Sequence, residues 1–286
     1  MKQAILITAY TDWSQLELLV SQFSNKFNIY IHIDKKVQVP QYIEEKLGEN
    51  PNVKFIGQLY IVNWGGMHHV DAIIALSKIA LNDKENAFFH LISGNDIRTA
   101  TEETFFGIDM SYCYMEIFML PNDQWQQQGM DRFLLFHPLD RLDIRSQRQS
   151  EIYYRYIKWQ TFHKVRRQLP KSQLYGGSTW WSMNRLHLTY IIDNINKDGL
   201  YNALQNTFVP EESLFPSIIM NSQYSYFVYK NNLRYIDWNY RNNNIPAILD
   251  ESDFEKIEQS QCLFARKINS EYSSKLIRRI ISKYMA

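Results

Sequence analysis

Two adjacent carboxylates follow a proline in the second half of the chain and are the first candidates for catalysis. Pro210 precedes Glu211 and Glu212, and proline is favoured in the first turn of a helix. The apolar residues that follow fall on one face of that predicted helix: Leu214, Phe215, Ile218 and Ile219. A carboxylate in this position can act as a general base, or it can simply stabilise the helix N-terminus electrostatically. The residues themselves leave both interpretations open.

Polar segments after two predicted strands could bind a nucleotide. The first segment runs from His32 to Lys36 and the second from Ser93 to Asp96. Glycine and asparagine are ordinary turn residues, and charged loops after strands are commonly only solvated, so each segment also has a structural interpretation. The chain contains neither a P-loop nor a complete Gly-x-Gly-x-x-Gly motif.

These segments need a scaffold, and the first 110 residues predict an alternation of strands and helices. Apolar strands are predicted at 4–7, 29–33, 53–56 and 88–92. Helical stripes of apolar residues lie between them, at 16–23, 43–47 and 72–80. This order predicts an α/β fold, a mostly parallel central sheet flanked by helices. Ligands of such sheets bind beyond the carboxyl ends of the strands, where both polar segments lie.

Composition excludes several classes of protein. Of the 286 residues, 45% are hydrophobic and 21% charged, and the net charge is +1, so no global field favours nucleic acid. The N-terminal apolar run is too short for a signal peptide, and no run reaches the roughly 20 apolar residues that span a bilayer. The two cysteines, Cys113 and Cys262, make neither a disulfide framework nor a zinc site. We therefore expect a cytoplasmic protein without a nucleic-acid partner.

Seven short motifs are together far more specific than any one of them. They lie in order along the chain at Ile31–Lys36, Val62–Gly66, Leu91–Asp96, Gly177–Trp181, Val209–Ser213, Leu233–Trp238 and Leu263–Lys267. With these motifs the sequence resembles the core-2/I-branching β-1,6-N-acetylglucosaminyltransferase family, in its bacterial-type form. The resemblance covers nearly the whole chain.

The resemblance implies a single domain over residues 1–286 with a GT-A-like nucleotide-sugar transferase fold. Residues from about 1 to 110 would form the nucleotide-binding half, residues from about 111 to 270 the acceptor and catalytic half, and 271–286 a basic tail. The implied reaction transfers a sugar, foremost N-acetylglucosamine from a UDP donor, to a hydroxyl of a glycan or lipid-linked glycan. Relatives in this family also use UDP-xylose and UDP-glucuronic acid, so the donor stays open. It inverts the sugar carbon and needs no cofactor or metal. Glu212, second in the Pro-Glu-Glu stretch, then becomes the expected general base.

Basic side chains replace the metal ion in this family. Lys267 matches the family lysine, whereas Asn244 stands where animal relatives have an arginine. Arg241 is therefore predicted to bind the donor diphosphate with Lys267, and Arg266 and Arg234 are the alternatives. No Asp-x-Asp motif follows a predicted strand, so no metal site is predicted. The alternative for Arg266 and Lys267 is a solvated pair.

The same resemblance suggests the other contacts of the site. We expect the nucleotide to contact four residues of the polar segments: His32, Asp34, Lys35 and Asp96. We expect the acceptor to contact five residues: Trp238, Tyr240, Glu116, Arg132 and Ser178. A tryptophan face covers the apolar side of a sugar while polar groups bind its hydroxyls. The pair Trp180–Trp181 could equally belong to the core.

Two other functions stay open at the level of sequence. A glycoside hydrolase needs two carboxylates about 5–10 Å apart on either side of one bond. Glu211 and Glu212 are about 100° apart on a helix and cannot do this, but a pair from distant segments could. A non-catalytic carbohydrate- or nucleotide-binding protein would bind the donor without turnover.

The last residues predict an amphipathic helix. Within 271–286 an apolar stripe contains Leu276, Ile277, Ile280, Ile281 and Tyr284. Four basic residues lie mainly on the other side: Lys275, Arg278, Arg279 and Lys283. Such a helix either lies on an anionic membrane surface as a peripheral contact, or packs on the domain with its basic side in water.

Overall fold

The first part of the chain alternates strands and helices, as the sequence predicts. The structure is a computed structural model that describes residues 1–285. Its first elements are β1 (Lys2–Ala9), α1 (Trp13–Ser21), β2 (Phe27–Ile33), α2 (Gln41–Glu49), β3 (Val53–Gly57), α3 (Met67–Asn82), β4 (Asn86–Ser93), β5 (Asp96–Arg98), α4 (Glu102–Gly107) and β6 (Cys113–Met119).

The second part contains shorter strands separated by helices and long loops. Its elements are α5 (Asp131–Leu134), α6 (Gln147–Phe162), β7 (Tyr175–Asn184), α7 (Arg185–Asp193), α8 (Leu200–Ala203), α9 (Glu211–Met220), β8 (Val228–Tyr229), β9 (Arg234–Ile236), α10 (Phe254–Ser260), β10 (Phe264–Arg266) and α11 (Ser274–Tyr284). Short 3₁₀ turns occur at Gln126–Gly129, Lys197–Gly199, Ser225–Phe227 and Glu251–Asp253.

A seven-stranded sheet organises both parts of the chain. Its strand order is β3-β2-β1-β4-β7-β6-β8. The strands from β3 to β4 pair in parallel, β7 is antiparallel to both β4 and β6, and β8 is parallel to β6. All seven residues of β2 and seven of the eight residues of β1 are buried, as expected for parallel strands covered by helices on both faces. The predicted α/β fold with a mostly parallel central sheet is confirmed.

A second, three-stranded sheet has the order β5-β10-β9. In it Arg266 pairs with Asp96 on one side and with Ile236 on the other. Each strand has only three residues, too few for a periodic pattern, so the sequence did not predict this sheet. This small sheet brings three segments together: β5 after the turn that follows β4, β9 just before Trp238, and β10 just before Lys267.

Arg234 joins the two sheets and is not an alternative ligand for phosphate. Its guanidinium donates hydrogen bonds to the carbonyl oxygens of Leu91 (2.9 Å) and Trp181 (2.8 Å) and to the hydroxyl of Ser182 (2.7 Å). The side chain is buried. Because the guanidinium satisfies these buried acceptors, Arg234 has a structural role.

Helix α9 is positioned by its packing on β7. The rings of Trp181 and Phe215 stack with centroids 5.6 Å apart, and both side chains are buried in the main core. Leu214, Ile218 and Ile219 are buried with them, as the helical periodicity predicts. Both members of the pair Trp180–Trp181 therefore belong to the core.

The C-terminal helix α11 packs against the protein with its apolar side. Leu276 and Ile280 are fully buried, and Ile277 and Tyr284 pack against the same cluster. Its basic residues reach glutamates of the neighbouring segment, in the pairs Lys275–Glu251, Arg279–Glu255 and Lys283–Glu258. Of the two interpretations of the tail, the structure matches packing on the domain, because the apolar stripe is not available to lipid. No helix within residues 1–285 has the length and hydrophobicity needed to cross a membrane.

Candidate active site

A cleft of about 410 Å³ opens at the carboxyl ends of β1, β2 and β4. Its size lies in the usual range for small-ligand sites, about 300–1,000 Å³. The strand ends contribute Thr8, His32 and Ser93, β7 contributes Ser178, and the start of α9 contributes Glu212. The cleft therefore lies where ligands bind in open parallel sheets.

Glu212 lies in the first turn of α9 and lines the cleft. Its side chain is 20% exposed, and Oε2 lies 2.6 Å from Nη1 of Arg132. Burial raises the pKa of Glu212 from 4.5 to about 7. The Arg132 guanidinium opposes this shift, whereas the charges of Glu211 and Glu116 add to it. Near neutral pH this carboxyl group can therefore exchange a proton with a ligand.

Arg132 is held in place by aromatic rings. Its guanidinium lies 3.7 Å from the ring centroid of Trp125 and 5.7 Å from that of Phe208. Stacking of this kind fixes the planar guanidinium. Arg132 lines the cleft, and its contact with an acceptor stays a prediction. The structure adds a contact that the sequence did not predict, the ion pair with Glu212.

A second carboxylate in the cleft is paired with a histidine that the sequence analysis missed. Oε1 of Glu211 lies 2.9 Å from Nδ1 of His69, and Nε2 of His69 lies 3.4 Å from Oγ1 of Thr8. The Glu211 side chain is only 7% exposed, and its Oε2 has no hydrogen-bond partner among residues 1–285. All three residues line the cleft. The sequence signal was the pair His68–His69, which Met67 separates from the glycines Gly65 and Gly66.

Lys267 supplies a positive charge to the same cleft. Burial, together with the charges of Arg266 and Arg145 and against that of Asp96, lowers the pKa of its ammonium group to about 8. Lys267 forms no ion pair with any carboxylate of residues 1–285. A desolvated cation without a partner is a favourable binding site for an anion.

Arg266 lines the cleft but is already engaged by the protein. Its Nε lies 3.4 Å from Oδ1 of the fully buried Asp96, and its guanidinium stacks 4.2 Å from the ring centroid of Trp180. Arg266 and Lys267 are therefore not a solvated pair. Trp180 is buried as well and also lines the cleft, whereas Trp181 does not line it.

Arg145 is a second cation of the cleft that the sequence analysis did not single out. Its guanidinium lies 5.0 Å from the ring centroid of Tyr10. The loop that contains it is tied to the cleft wall through Lys36, whose Nζ lies 2.9 Å from Asp143 of the loop and 3.0 Å from Oδ1 of Asn63 in the cleft lining. In the sequence, Arg145 was only one of many basic residues between 141 and 171, so its position could not be distinguished.

Arg241, predicted to bind the donor diphosphate, does not line the cleft. Its guanidinium is surrounded by Asp237 (3.3 Å), Asp250 (2.6 Å) and Asp253 (2.5 Å). Burial works against its charge, but these carboxylates hold the pKa of the guanidinium above its ordinary value. The prediction is corrected accordingly: Arg241 neutralises three aspartates and organises the loop that contains Asn244, to which its backbone is bonded.

Two of the four predicted nucleotide contacts lie in the cleft, namely His32 and Asp34. Burial lowers the pKa of His32 to about 4, so the ring is neutral. Its Nε2 accepts a hydrogen bond from the Tyr60 backbone (3.1 Å), which leaves the ring proton on Nδ1. Asp34 accepts backbone hydrogen bonds from Lys36 (3.1 Å) and Val62 (3.0 Å).

The other two predicted nucleotide contacts lie elsewhere. Lys35 is exposed and does not line the cleft. Asp96 is fully buried and accepts hydrogen bonds from the backbone amide of Ser93 (2.7 Å) and from the Ser93 hydroxyl. Asp96 therefore fixes the turn after β4 and holds Arg266, and it does not touch the cleft itself.

The predicted acceptor residues are also divided. Trp238 and Ser178 line the cleft with Arg132, and Trp238 is 57% exposed, so one of its faces is open to a ligand. Tyr240 is 69% exposed and lies outside the cleft lining. Glu116 also lies outside it, where burial raises its pKa. Its influence on the site is through its charge, which raises the pKa of Glu212.

No group of three or more His, Cys, Asp or Glu side chains within residues 1–285 converges in a way that could hold a metal ion.

Comparison with known proteins identifies the family. The model of the family described as Core-2/I-Branching enzyme matches residues 4–258. Xylosyltransferase 2 of Canis lupus familiaris is 25% identical over 236 residues, which are 78% of this chain and 25% of the relative. Xylosyltransferase oxt of Drosophila pseudoobscura pseudoobscura is 23% identical over 235 residues, 77% of this chain and 24% of the relative. The chain spans about a quarter of the length of the curated relatives it matches.

A solved structure of S. aureus TarS is similar over a smaller region. It is 16% identical, with a TM-score of 0.26, and the match covers 34% of this chain and 17% of that one. This similarity is too weak to support an inference.

We predict that Arg241→Gln destabilises the fold. The change leaves the fully buried Asp253 without its cation, and losing a charged hydrogen-bond partner costs about 2 kcal/mol. Urea unfolding measures the loss. The control is Arg155→Gln, which removes an exposed guanidinium 4.0 Å from Glu151 and should cost less than about 1 kcal/mol. Equal unfolding midpoints for the two variants would contradict the structural role of Arg241.

Proposed function

The chain belongs to the Core-2/I-Branching enzyme family of glycosyltransferases, and on this premise we propose that it transfers a sugar from a UDP donor to a hydroxyl of a glycan acceptor. The observation that carries the proposal is that a carboxylate and a separate, unpaired cation line one cleft. A buried carboxylate with a pKa near 7, Glu212, shares the cleft with an unpaired ammonium, Lys267. A displacement at a sugar carbon needs a base for the incoming hydroxyl and a cation for the leaving group.

In this proposal Glu212 takes the proton of the acceptor hydroxyl as its oxygen attacks the anomeric carbon. A base is most effective when its pKa lies near the working pH, and the pKa of about 7 supports this role. The bond from the anomeric carbon to the diphosphate breaks on the opposite side, so the configuration inverts. Arg132 keeps the carboxylate in place at 2.6 Å.

The proposed leaving group, a nucleoside diphosphate, is stabilised by Lys267 and Arg145. Both line the cleft, and neither pairs with a carboxylate of residues 1–285. The Arg145 charge lowers the pKa of Lys267, so the two cations are close enough to act on one anion. In this proposal Arg145, and not Arg241, binds the donor diphosphate together with Lys267. Fixed cations of this kind can do the electrostatic work of a metal ion, and we propose transfer without a metal or other cofactor.

The proposed donor rests on the family, and the proposed contacts of donor and acceptor rest on the residues that line the cleft. N-acetylglucosamine stays the first candidate for the transferred sugar, and the names of the relatives make xylose the second. We propose that His32 and Asp34 bind the nucleotide and that Trp238 and Ser178 bind the acceptor sugar, because these residues line the cleft. The acceptor is proposed to be a surface glycan or its lipid-linked precursor.

A donor screen tests the proposal. UDP release is measured from UDP-N-acetylglucosamine, UDP-xylose and UDP-glucuronic acid, with and without candidate glycan acceptors. Acceptor-dependent UDP release from one of them is expected. UDP binding without release would indicate a binding protein, and sugar release from an acceptor without any donor would indicate a glycosidase.

We predict that Glu212→Gln lowers the transfer rate by about 10²–10⁴-fold while UDP affinity is retained. The amide has nearly the same shape but cannot accept the proton. The matched control is Glu103→Gln, an exposed glutamate in the first turn of α4, which should be silent. Turnover of the Glu212 variant near that of the control would remove Glu212 from the mechanism.

We predict that transfer survives exhaustive chelation and depends on Lys267. Lys267→Ala should weaken UDP binding about tenfold or more, since a charge-assisted contact to phosphate is lost. Lys197→Ala, a lysine outside the cleft lining, serves as the control, and calorimetry gives both affinities. Activity that disappears with EDTA and returns with Mn²⁺ or Mg²⁺ would refute the metal-free proposal.

We predict a bell-shaped pH dependence of kcat/KM. Below the Glu212 pKa of about 7 the base is protonated, and above the Lys267 pKa of about 8 the ammonium loses its charge. Because Arg132 lowers the pKa of Glu212, Arg132→Gln should move the acid limb to higher pH. Lys267→Arg should remove the alkaline limb, since arginine stays charged. An acid limb that does not move in Arg132→Gln would contradict the assignment.

A further inference from the structure

Helix α6 presents large apolar side chains to solvent. Phe162 is 81% exposed, Tyr154 54%, Trp159 50% and Ile152 48%. We call these four residues the outer face of α6. Isolated exposed apolar residues are common on protein surfaces, but four on one 16-residue helix form a patch of the kind that marks an interaction site.

The opposite side of α6 fixes the helix on the domain. Tyr153 and Gln160 are buried. The Tyr153 hydroxyl lies 2.7 Å from Nδ1 of His137, and the Gln160 side chain bonds the backbone of Phe136 in both directions. At 100° per residue, Trp159 and Phe162 point away from these two anchors. The buried Tyr153 and Gln160 therefore orient α6 so that its outer face is exposed to solvent.

The segment around α6 concentrates positive charge. Residues 141–171 contain nine Lys and Arg and two Asp and Glu, so this segment carries +7, whereas the whole chain carries +1. The rest of the chain is therefore net negative. On α6 itself, Arg148 and Lys158 have no ion-pair partner among residues 1–285, and Arg155 has only Glu151 at 4.0 Å. On α11, by contrast, three basic residues are paired with glutamates and the apolar stripe is buried.

We propose that the outer face of α6 binds the surface of an anionic membrane. Aromatic and aliphatic side chains that alternate with unpaired Lys and Arg fit the headgroup region of a bilayer, where rings insert and cations meet anionic lipid. A soluble polyanion would use the same charges. It would gain little from Phe162 and Ile152, which have no polar atom with which to bind it. The exposed hydrocarbon is therefore the reason to choose the membrane.

The N-terminal end of α6 lies next to the cleft. Arg145 lines the cleft and stands two residues before α6 begins. Docking through α6 would keep the mouth of the cleft near the lipid surface, where a lipid-linked acceptor presents its glycan. This last step rests on the proposed function, whereas membrane binding itself does not require it.

Vesicle co-sedimentation of the full chain tests the proposal without donor or acceptor. We expect binding to phosphatidylcholine vesicles that contain phosphatidylglycerol at low salt, and no binding to phosphatidylcholine alone. Arg155→Gln/Lys158→Gln should lower the association constant at least about fivefold. Trp159→Ser/Phe162→Ser should also lower it, at unchanged net charge. The control Lys275→Gln/Arg278→Gln removes two charges from α11 and should leave binding intact.

Three results would overturn the proposal. The first is that wild-type protein does not sediment with anionic vesicles. The second is an equal loss of binding in the two charge variants, which would mean that only net charge matters. The third is that the variant Trp159→Ser/Phe162→Ser binds the vesicles as well as the wild type does, and that soluble dextran sulfate displaces both proteins from the vesicles. That result would identify a polyanion site. Thermal unfolding of each variant establishes that the exposed substitutions leave the fold intact.

Discussion

The removal of the Glu212 carboxyl from water is the constraint on which the cleft depends. The packing of α9 on β7 through Trp181 and Phe215 fixes the helix start, and the Glu212 side chain there is only 20% exposed. Burial then raises its pKa to about 7. Arg132, stacked on Trp125, keeps the raised pKa from going higher and keeps the carboxylate in one position. A proton acceptor suited to neutral pH thus follows from hydrophobic packing.

The positive charges of the cleft depend on the small second sheet. In β10, Arg266 pairs with the fully buried Asp96 and stacks on Trp180, and Lys267 follows directly. Burial lowers the pKa of Arg266, and the charges of Asp96 and Glu212 oppose this shift, so carboxylate and cation act on one another across the cleft. Asp96 and Arg266 thus provide the framework, while Lys267 and Arg145 remain available to a ligand.

The sequence could predict elements with strong periodicity and motifs with fixed neighbours. The strands β1 to β4, the helix α9 and the positions of Glu212, Lys267 and Arg132 belong to this class. It could not predict which arginine reaches the cleft, because Arg241 is neutralised by aspartates up to 12 residues away in the chain, while Arg145 arrives on a loop tied to Lys36. Nor could the sequence predict that the apolar side chains of α11 are buried whereas those on the outer face of α6 are exposed, because tertiary packing decides which apolar face is covered.

The central claim is that Glu212 is a buried base with a raised pKa, and its direct test is titration of the free protein. Carboxyl ¹³C signals of labelled glutamate are followed by NMR against pH, and the signal missing in Glu212→Gln identifies the residue. The account predicts a midpoint near the value of about 7, well above the exposed glutamates of the same sample. A midpoint near the ordinary 4.5 of an exposed glutamate would contradict it.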